Sequence, residues 1–203
     1  LSIICAIASA TFFGRDAAAA QRYRSWGVSM FAHTMGGILV HSLELAALPF
    51  VFVSISGQLW GTRVGLLEQY SVVLGAVWAA SGLGYLAVFV IASAEKAQFT
   101  ATSAIIILAI FSGGAAPLPV LQDAVPHLFF LTDFSYLRFS LEAAYVGEVR
   151  LYEDVYDVTG ALAAHGYAVG RFGYSQEMVW LHGGIFRAVA LFVCSVLRRS
   201  PTL

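Results

Sequence analysis

Residues 70–92 read YSVVLGAVWAASGLGYLAVFVIA, 23 positions without one Asp, Glu, Lys or Arg. A helix rises 1.5 Å per residue, so this stretch makes a rod of about 35 Å, enough to cross the roughly 30 Å hydrocarbon core of a bilayer. An uncharged segment of that length is read as a transmembrane span. Its Gly75, Gly82 and Gly84 predict close approach of a neighbouring helix, because small residues let backbones meet. This span decides the class of the whole chain.

The surrounding sequence agrees. Of 203 residues, 59% are hydrophobic and 11% charged, against about 25% charged in an ordinary soluble domain. Before the reference span lies an apolar stretch read as a span over 34–56, preceded by an interfacial approach from Val28 and interrupted by Gly36-Gly37, Glu44 and Pro49. After it come spans at 99–116, closed by Gly113-Gly114 and Pro117-Leu118-Pro119, and at 176–197. Residues 1–14 are apolar but too short to cross, and are read as the end of a span begun upstream, which makes the chain a fragment. Residues 15–32 form a polar connector. Residues 117–175 contain no run long enough to cross. Their first part, to Val149, is aromatic enough to dip into the interface as re-entrant helices, and Arg150 to Tyr174 reads as a solvated loop. The expected fold is all-α, a polytopic membrane helical bundle with about four full spans, a truncated first helix and a large extracellular loop.

A net charge of −1 offers no basic surface for nucleic acid. Position carries more information than the total. The connector, the Glu95-Lys96 link and the C-terminus hold six Lys/Arg against two Asp/Glu, whereas the opposite side holds four against nine. Arginine and lysine accumulate on the cytosolic side of membrane proteins. The connector and C-terminus are therefore expected in the cytosol, and 117–175 outside, in the plasma membrane or an internal one.

Soluble-enzyme signatures are absent from the sequence: it has no GxxxxGK[ST], GxGxxG or HExxH, and Lys96 is its only lysine. The five histidines form no ligand cluster, Cys5 and Cys194 lie in apolar runs, and no metal site is expected. A Ser112 and His182 protease pair is disfavoured because Ile110 stands where that motif has Gly. No catalytic site is read in this chain. Charges within spans are functional candidates, since hydrocarbon penalises them by several kcal/mol. Glu44 lies one turn from His41, and is read either as a substrate-pathway or gating group or as hydrogen-bonded to His41 or a neighbouring helix. Arg187 is read as a structural intramembrane charge, satisfied by Glu44 or by a backbone carbonyl. Together Glu44, His41 and Arg187 also permit an ion or proton relay in an ATP-independent carrier, and the glycine-rich spans permit a non-transporting scaffold.

A series of short matches runs along the chain in one order. Phe13, Arg15, Arg22, Gly27, Ser29 and Ala32 are followed by Pro49, then Tyr70, Gly82 and Tyr85, then Ala97-Gln98 and Phe111-Ser112-Gly113. Tyr136 to Ala143 (YLRFSLEA), Gly166-Tyr167 and Arg187-Ala188-Val189-Ala190 complete it. This order resembles the C-terminal part of the ABC-2 type membrane domain of ABCG (white-type) ABC half-transporters, most of all the plant-type branch. Tyr23, His33 and Phe139 depart from the pattern, where the family has Glu, Tyr and Trp, and the loop lacks the cysteines some relatives carry. The resemblance implies ATP-driven export of lipidic or other hydrophobic substrates. It implies ATP and Mg on a nucleotide-binding domain of the same polypeptide outside this chain, a second half-transporter, and membrane lipids as the surroundings. It further implies that Arg22 and Arg24 lie on the connector that passes motion to the spans, and that Thr102 and Ile106 line the pathway.

Overall fold

The computed structural model describes residues 1–15, 22–23, 25–91 and 93–197, and they form helices joined by short turns, with no strand among the described residues. In chain order these are α1 (Ser2–Arg15), α2 (Met30–Trp60), α3 (Leu66–Val90), α4 (Ala94–Ile110), α5 (Leu118–Ala124), α6 (Leu131–Phe134), α7 (Tyr136–Val149), α8 (Val158–His165) and α9 (Phe172–Leu197). Among the described residues, Phe31–Leu59, Leu66–Val90 and Val169–Ser195 are long and apolar enough to cross a membrane. The chain is an all-α membrane domain, as its sequence led us to expect.

Helix boundaries follow local chemistry more than composition. α2 is continuous from Met30, so the approach after Val28 and the stretch 34–56 make one helix, which runs through the buried Pro49. Proline removes one intrahelical bond, and here that costs the helix a bond without ending it. α4 starts at Ala94 and stops at Ile110, earlier at both ends than the stretch 99–116. Its 17 residues give about 26 Å, and a turn follows in which Gly113 takes φ +84°. Only glycine adopts that conformation without strain.

The described chain divides into two compact units. The first holds Leu1–Ala47, Val77–Ile105 and the chain from Gly183 on. Within it α1 packs on α3 through Phe13, whose ring lies 5.2 Å from Tyr85 and 5.3 Å from Phe89. α1 is tied to α4 where Gln98 Nε2 donates to Thr11 Oγ1 at 2.8 Å. A Cβ on Gly84 would overlap the Ala6 carbonyl oxygen and stand 2.9 Å from Ser9 Cβ, so hydrogen alone fits between α1 and α3 there.

The second unit holds Leu48–Ala76 and Ile106–His182. Its non-spanning part has a core of its own: Leu118 and Leu121 of α5, Val146 of α7, Val158 and Leu162 of α8, and Tyr167. Residues 150–174 are thus not a solvated loop throughout. Asp157 Oδ1 accepts from Gly160 N at 3.0 Å to cap the start of α8, and Gly166 at φ +78° stops it. Between those caps Val158 and Leu162 fall one turn apart and reach the core; scattered acids and glycines hid a short, properly capped helix. Ser135 begins α7, its Oγ accepting from Arg138 N at 3.4 Å and donating to Leu108 O of α4 at 2.7 Å.

Candidate functional site

Arg187 is buried in the first unit, where α9 meets α3. Its Nη1 donates to the carbonyl oxygens of Trp78 and Gly183, the latter at 3.2 Å, and its Nη2 to Ser81 Oγ at 2.6 Å. The guanidinium carbon stands 3.3 Å from the Trp78 ring centroid and 5.3 Å from that of Tyr85. A helical carbonyl oxygen keeps a second lone pair after its intrahelical bond, so backbone alone can satisfy a buried cation. Glycine opens the space: a Cβ on Gly183 would overlap the Trp78 indole, and one on Gly82 would stand 3.2 Å from Arg187 Nη1. Carbonyls, a hydroxyl and aromatic faces hold the arginine. The partner of Glu44 is instead His41.

On α2, His41 is buried and its Nδ1 lies 3.3 Å from Glu44 Oε2, while its Nε2 lies 3.3 Å from Ser9 Oγ of α1. Ser9 commits its single proton to Cys5 O at 2.7 Å. The serine oxygen can then only accept, which places a proton on His41 Nε2. Phe12 stacks on the imidazole at 4.7 Å, and the Tyr85 ring lies 6.0 Å from it. Tyr85 therefore touches both His41 and Arg187, with Glu44 attached through His41. The Glu44 side chain is 63% exposed although its helix is a candidate span.

The remaining candidates lie on α4 and in the stretch before α2. Thr102 and Ile106 are one turn apart on α4, the first half-buried and the second exposed. Arg22 is exposed in the stretch before α2, where Tyr23 packs against Trp26 (5.8 Å) and His33 (5.1 Å) and its carbonyl accepts from Val28 N at 3.0 Å. Arg24 lies outside the described residues.

Sequence reasoning missed two buried charges in the second unit. Arg138 and Glu142, counted there among loop charges, are both buried on α7, Glu142 completely. Arg138 Nη1 donates to Asp133 and to Thr132 Oγ1. Neither Glu142 oxygen meets a hydrogen-bond partner among the described residues. Their i, i+4 spacing inside an aromatic helix was the available signal. Nearby, burial pushes the Tyr167 phenol above the usual tyrosine range, the Glu142 carboxylate and Tyr145 add to that, and Arg138 opposes it.

Comparison with known proteins now bears on the geometry. The family model described as ABC-2 type transporter matches residues 1–200. The chain belongs to the ABC-2 type transporter family. Among curated proteins it is similar to ABC transporter G family member 25 of Oryza sativa subsp. japonica, 25% identical over 194 residues, covering 94% of this chain and 18% of that protein. It is also similar to the putative white-brown complex homolog protein 30 of Arabidopsis thaliana, 23% identical over 194 residues, covering 95% of this chain and 17% of the relative. The chain thus spans less than a fifth of the length of these relatives. The ABCG likeness read from the sequence is what both relatives bear out.

Proposed function

We propose that this ABC-2 domain is the membrane-spanning part of an ATP-driven exporter of lipidic or other hydrophobic compounds. It acts as a dimer with a second half-transporter, and a nucleotide-binding domain of the same polypeptide holds ATP and Mg. The observation that carries the reading is the family match along essentially the whole chain. The arginine asymmetry supports a cytosolic connector and C-terminus, in the plasma membrane or an internal one. Arg22 and Arg24 then meet the moving cytosolic domain. The exposed Glu44 supports a pathway role: a charge facing hydrocarbon costs about 2.5–3.5 kcal/mol, so its face of α2 meets a water-filled cavity or another subunit. Thr102 and Ile106 give α4 its pathway face.

Uptake of a fluorescent lipid by vesicles carrying the full-length protein tests the reading. Uptake requires ATP, and Arg22→Glu with Arg24→Glu leaves ATP hydrolysis and membrane insertion intact while transport falls by about tenfold or more, the loss expected when coupling contacts reverse sign. Transport that needs no nucleotide overturns it. One observation favours a second reading, an ATP-independent carrier: His41 Nδ1 lies 3.3 Å from Glu44 Oε2, and Tyr85 touches both His41 and Arg187. Nucleotide-free transport abolished by Glu44→Gln selects that carrier.

A further inference from the structure

Residues 117–175 carry six tyrosines, and the fold treats them differently. Tyr136 and Tyr167 are buried, and the half-buried Tyr145 has its ring 4.7 Å from that of His165. Tyr152 is half-buried too: its hydroxyl donates to Glu148 Oε1 at 3.3 Å, and the Arg63 guanidinium stands 4.4 Å from its ring centroid. Tyr174 is exposed, but the Arg171 guanidinium lies 5.9 Å from its ring. Tyr156 is 66% exposed, and its ring stands 6.2 Å from that of Tyr152.

The surroundings of Tyr156 are acidic. Residues 151–161 contain Glu153, Asp154 and Asp157 and no Lys or Arg. All three acids are exposed, and among the described residues none of them is in an ion pair. The nearest arginine in sequence, Arg150, is paired with Glu68 at 2.7 Å and stands 4.6 Å from the Phe172 ring centroid. Backbone bonds around Tyr156 are local. Its N–H and that of Val155 donate to Tyr152 O at 3.0 and 2.9 Å, and its carbonyl accepts from Val158 N at 2.9 Å. Residues 153–157 can therefore open into an enzyme's cleft without disturbing the core that begins at Val158.

We propose that Tyr156 is a sulfation site, modified by a tyrosine sulfotransferase of the secretory lumen. The phenol oxygen attacks the sulfur of an adenylyl-phosphosulfate donor. A new O–S bond forms, the S–O bond to phosphate breaks, and the phosphate leaves with the electron pair while the phenol proton passes to a base of the enzyme. An enzyme that holds so anionic a donor presents a cationic cleft, to which Glu153, Asp154 and Asp157 are complementary. Tyr152 has the same acids nearby in sequence, yet its hydroxyl and one ring face are occupied. Sulfation requires the orientation proposed above from the arginines, with 117–175 outside the cytosol, and is independent of what the domain transports.

The test is expression of the full-length protein with radiolabelled sulfate, in cells whose secretory lumen contains a tyrosine sulfotransferase, followed by peptide mapping. Label is expected in the peptide that contains Tyr156, and chlorate, which blocks synthesis of the donor, abolishes it. Tyr156→Phe removes the label, whereas Tyr152→Phe and Tyr174→Phe leave it in place. Glu153→Gln with Asp154→Asn lowers it by about tenfold, the lower end of what charge does to encounter rates. Tyr156→Cys controls for orientation, since Cys5 and Cys194 are buried: it should react with a membrane-impermeant maleimide from the non-cytosolic face only. Absence of sulfate on a loop that reacts from that face overturns the site and leaves the orientation standing. Sulfate on Tyr152 or Tyr174 in place of Tyr156 also overturns the site. Phosphate on Tyr156, or reaction of Tyr156→Cys from the cytosolic face, overturns site and orientation together.

Discussion

Arg187 on α9 is a buried cation surrounded by acceptors, whereas Glu142 on α7 is a buried anion that meets no hydrogen-bond donor among the described residues. The chemistry of the helix backbone separates them. Every helical carbonyl keeps a spare lone pair, but every N–H beyond the first turn has one proton and spends it on the helix. A helical membrane domain can therefore store a cation between helices that approach closely, as Trp78 and Gly183 do for Arg187. An anion beyond a helix's first turn needs side-chain donors, and the nearest cation along α7, Arg138, spends its Nη1 on Asp133 and Thr132.

The comparison can be broken most severely at its glycine. Gly183→Leu drives a side chain into the Trp78 indole and parts α3 from α9, so both carbonyl contacts of Arg187 loosen. A loss of about 3 kcal/mol is expected, the upper range for overpacking, read as lower thermal stability of the full-length protein in detergent. Wild-type melting would mean the two helices do not depend on that approach. Arg187→Gln keeps polarity but gives up the charge and the stacking on Trp78, and should lose about 2 kcal/mol in the same assay. Glu142→Gln should behave differently. It removes an uncompensated buried charge, so melting should stay within about 1 kcal/mol of wild type or rise. A fall as large as that of Arg187→Gln would show that the carboxylate is paired after all.

Much of the fold was legible because membrane spans announce themselves by length and lack of charge, as in residues 70–92. Glu44 and Arg187 could be singled out for the same reason, since a charge in an apolar run has no background to hide in. His41, one turn away, could be read as a partner of Glu44, and a backbone carbonyl as one of Arg187, but not which carbonyl. Arg187 is held chiefly by backbone carbonyls, which every residue possesses, so no sequence pattern points to Trp78 or Gly183. The loop was harder still. α8 has only two turns, and its caps, Asp157 and Gly166, look in sequence like ordinary loop residues. Arg138 and Glu142 were counted only as charges of the outer side because a span is judged by composition, while burial in a small helical cluster depends on contacts that composition does not show.

The smallest expected effect sharpens the picture of Glu142. Tyr167 is buried beside it, and its phenol ionises at a higher pH in the folded chain than in the unfolded one, first through burial and next through the Glu142 charge. A raised folded value means that folding favours the protonated phenol. Its contribution is present in full below the ordinary tyrosine value of about 10 and is lost as pH rises through the folded value. Tyr167→Phe should accordingly change neutral-pH stability by less than about 1 kcal/mol, yet flatten the decline in melting temperature above pH 10. Equal alkaline slopes in wild type and variant would refute a perturbed Tyr167. In a Glu142→Gln background the difference between Tyr and Phe should shrink, because the second cause is gone, and should persist, because burial remains. A difference untouched by Glu142→Gln would mean that the Glu142 charge does not act on Tyr167.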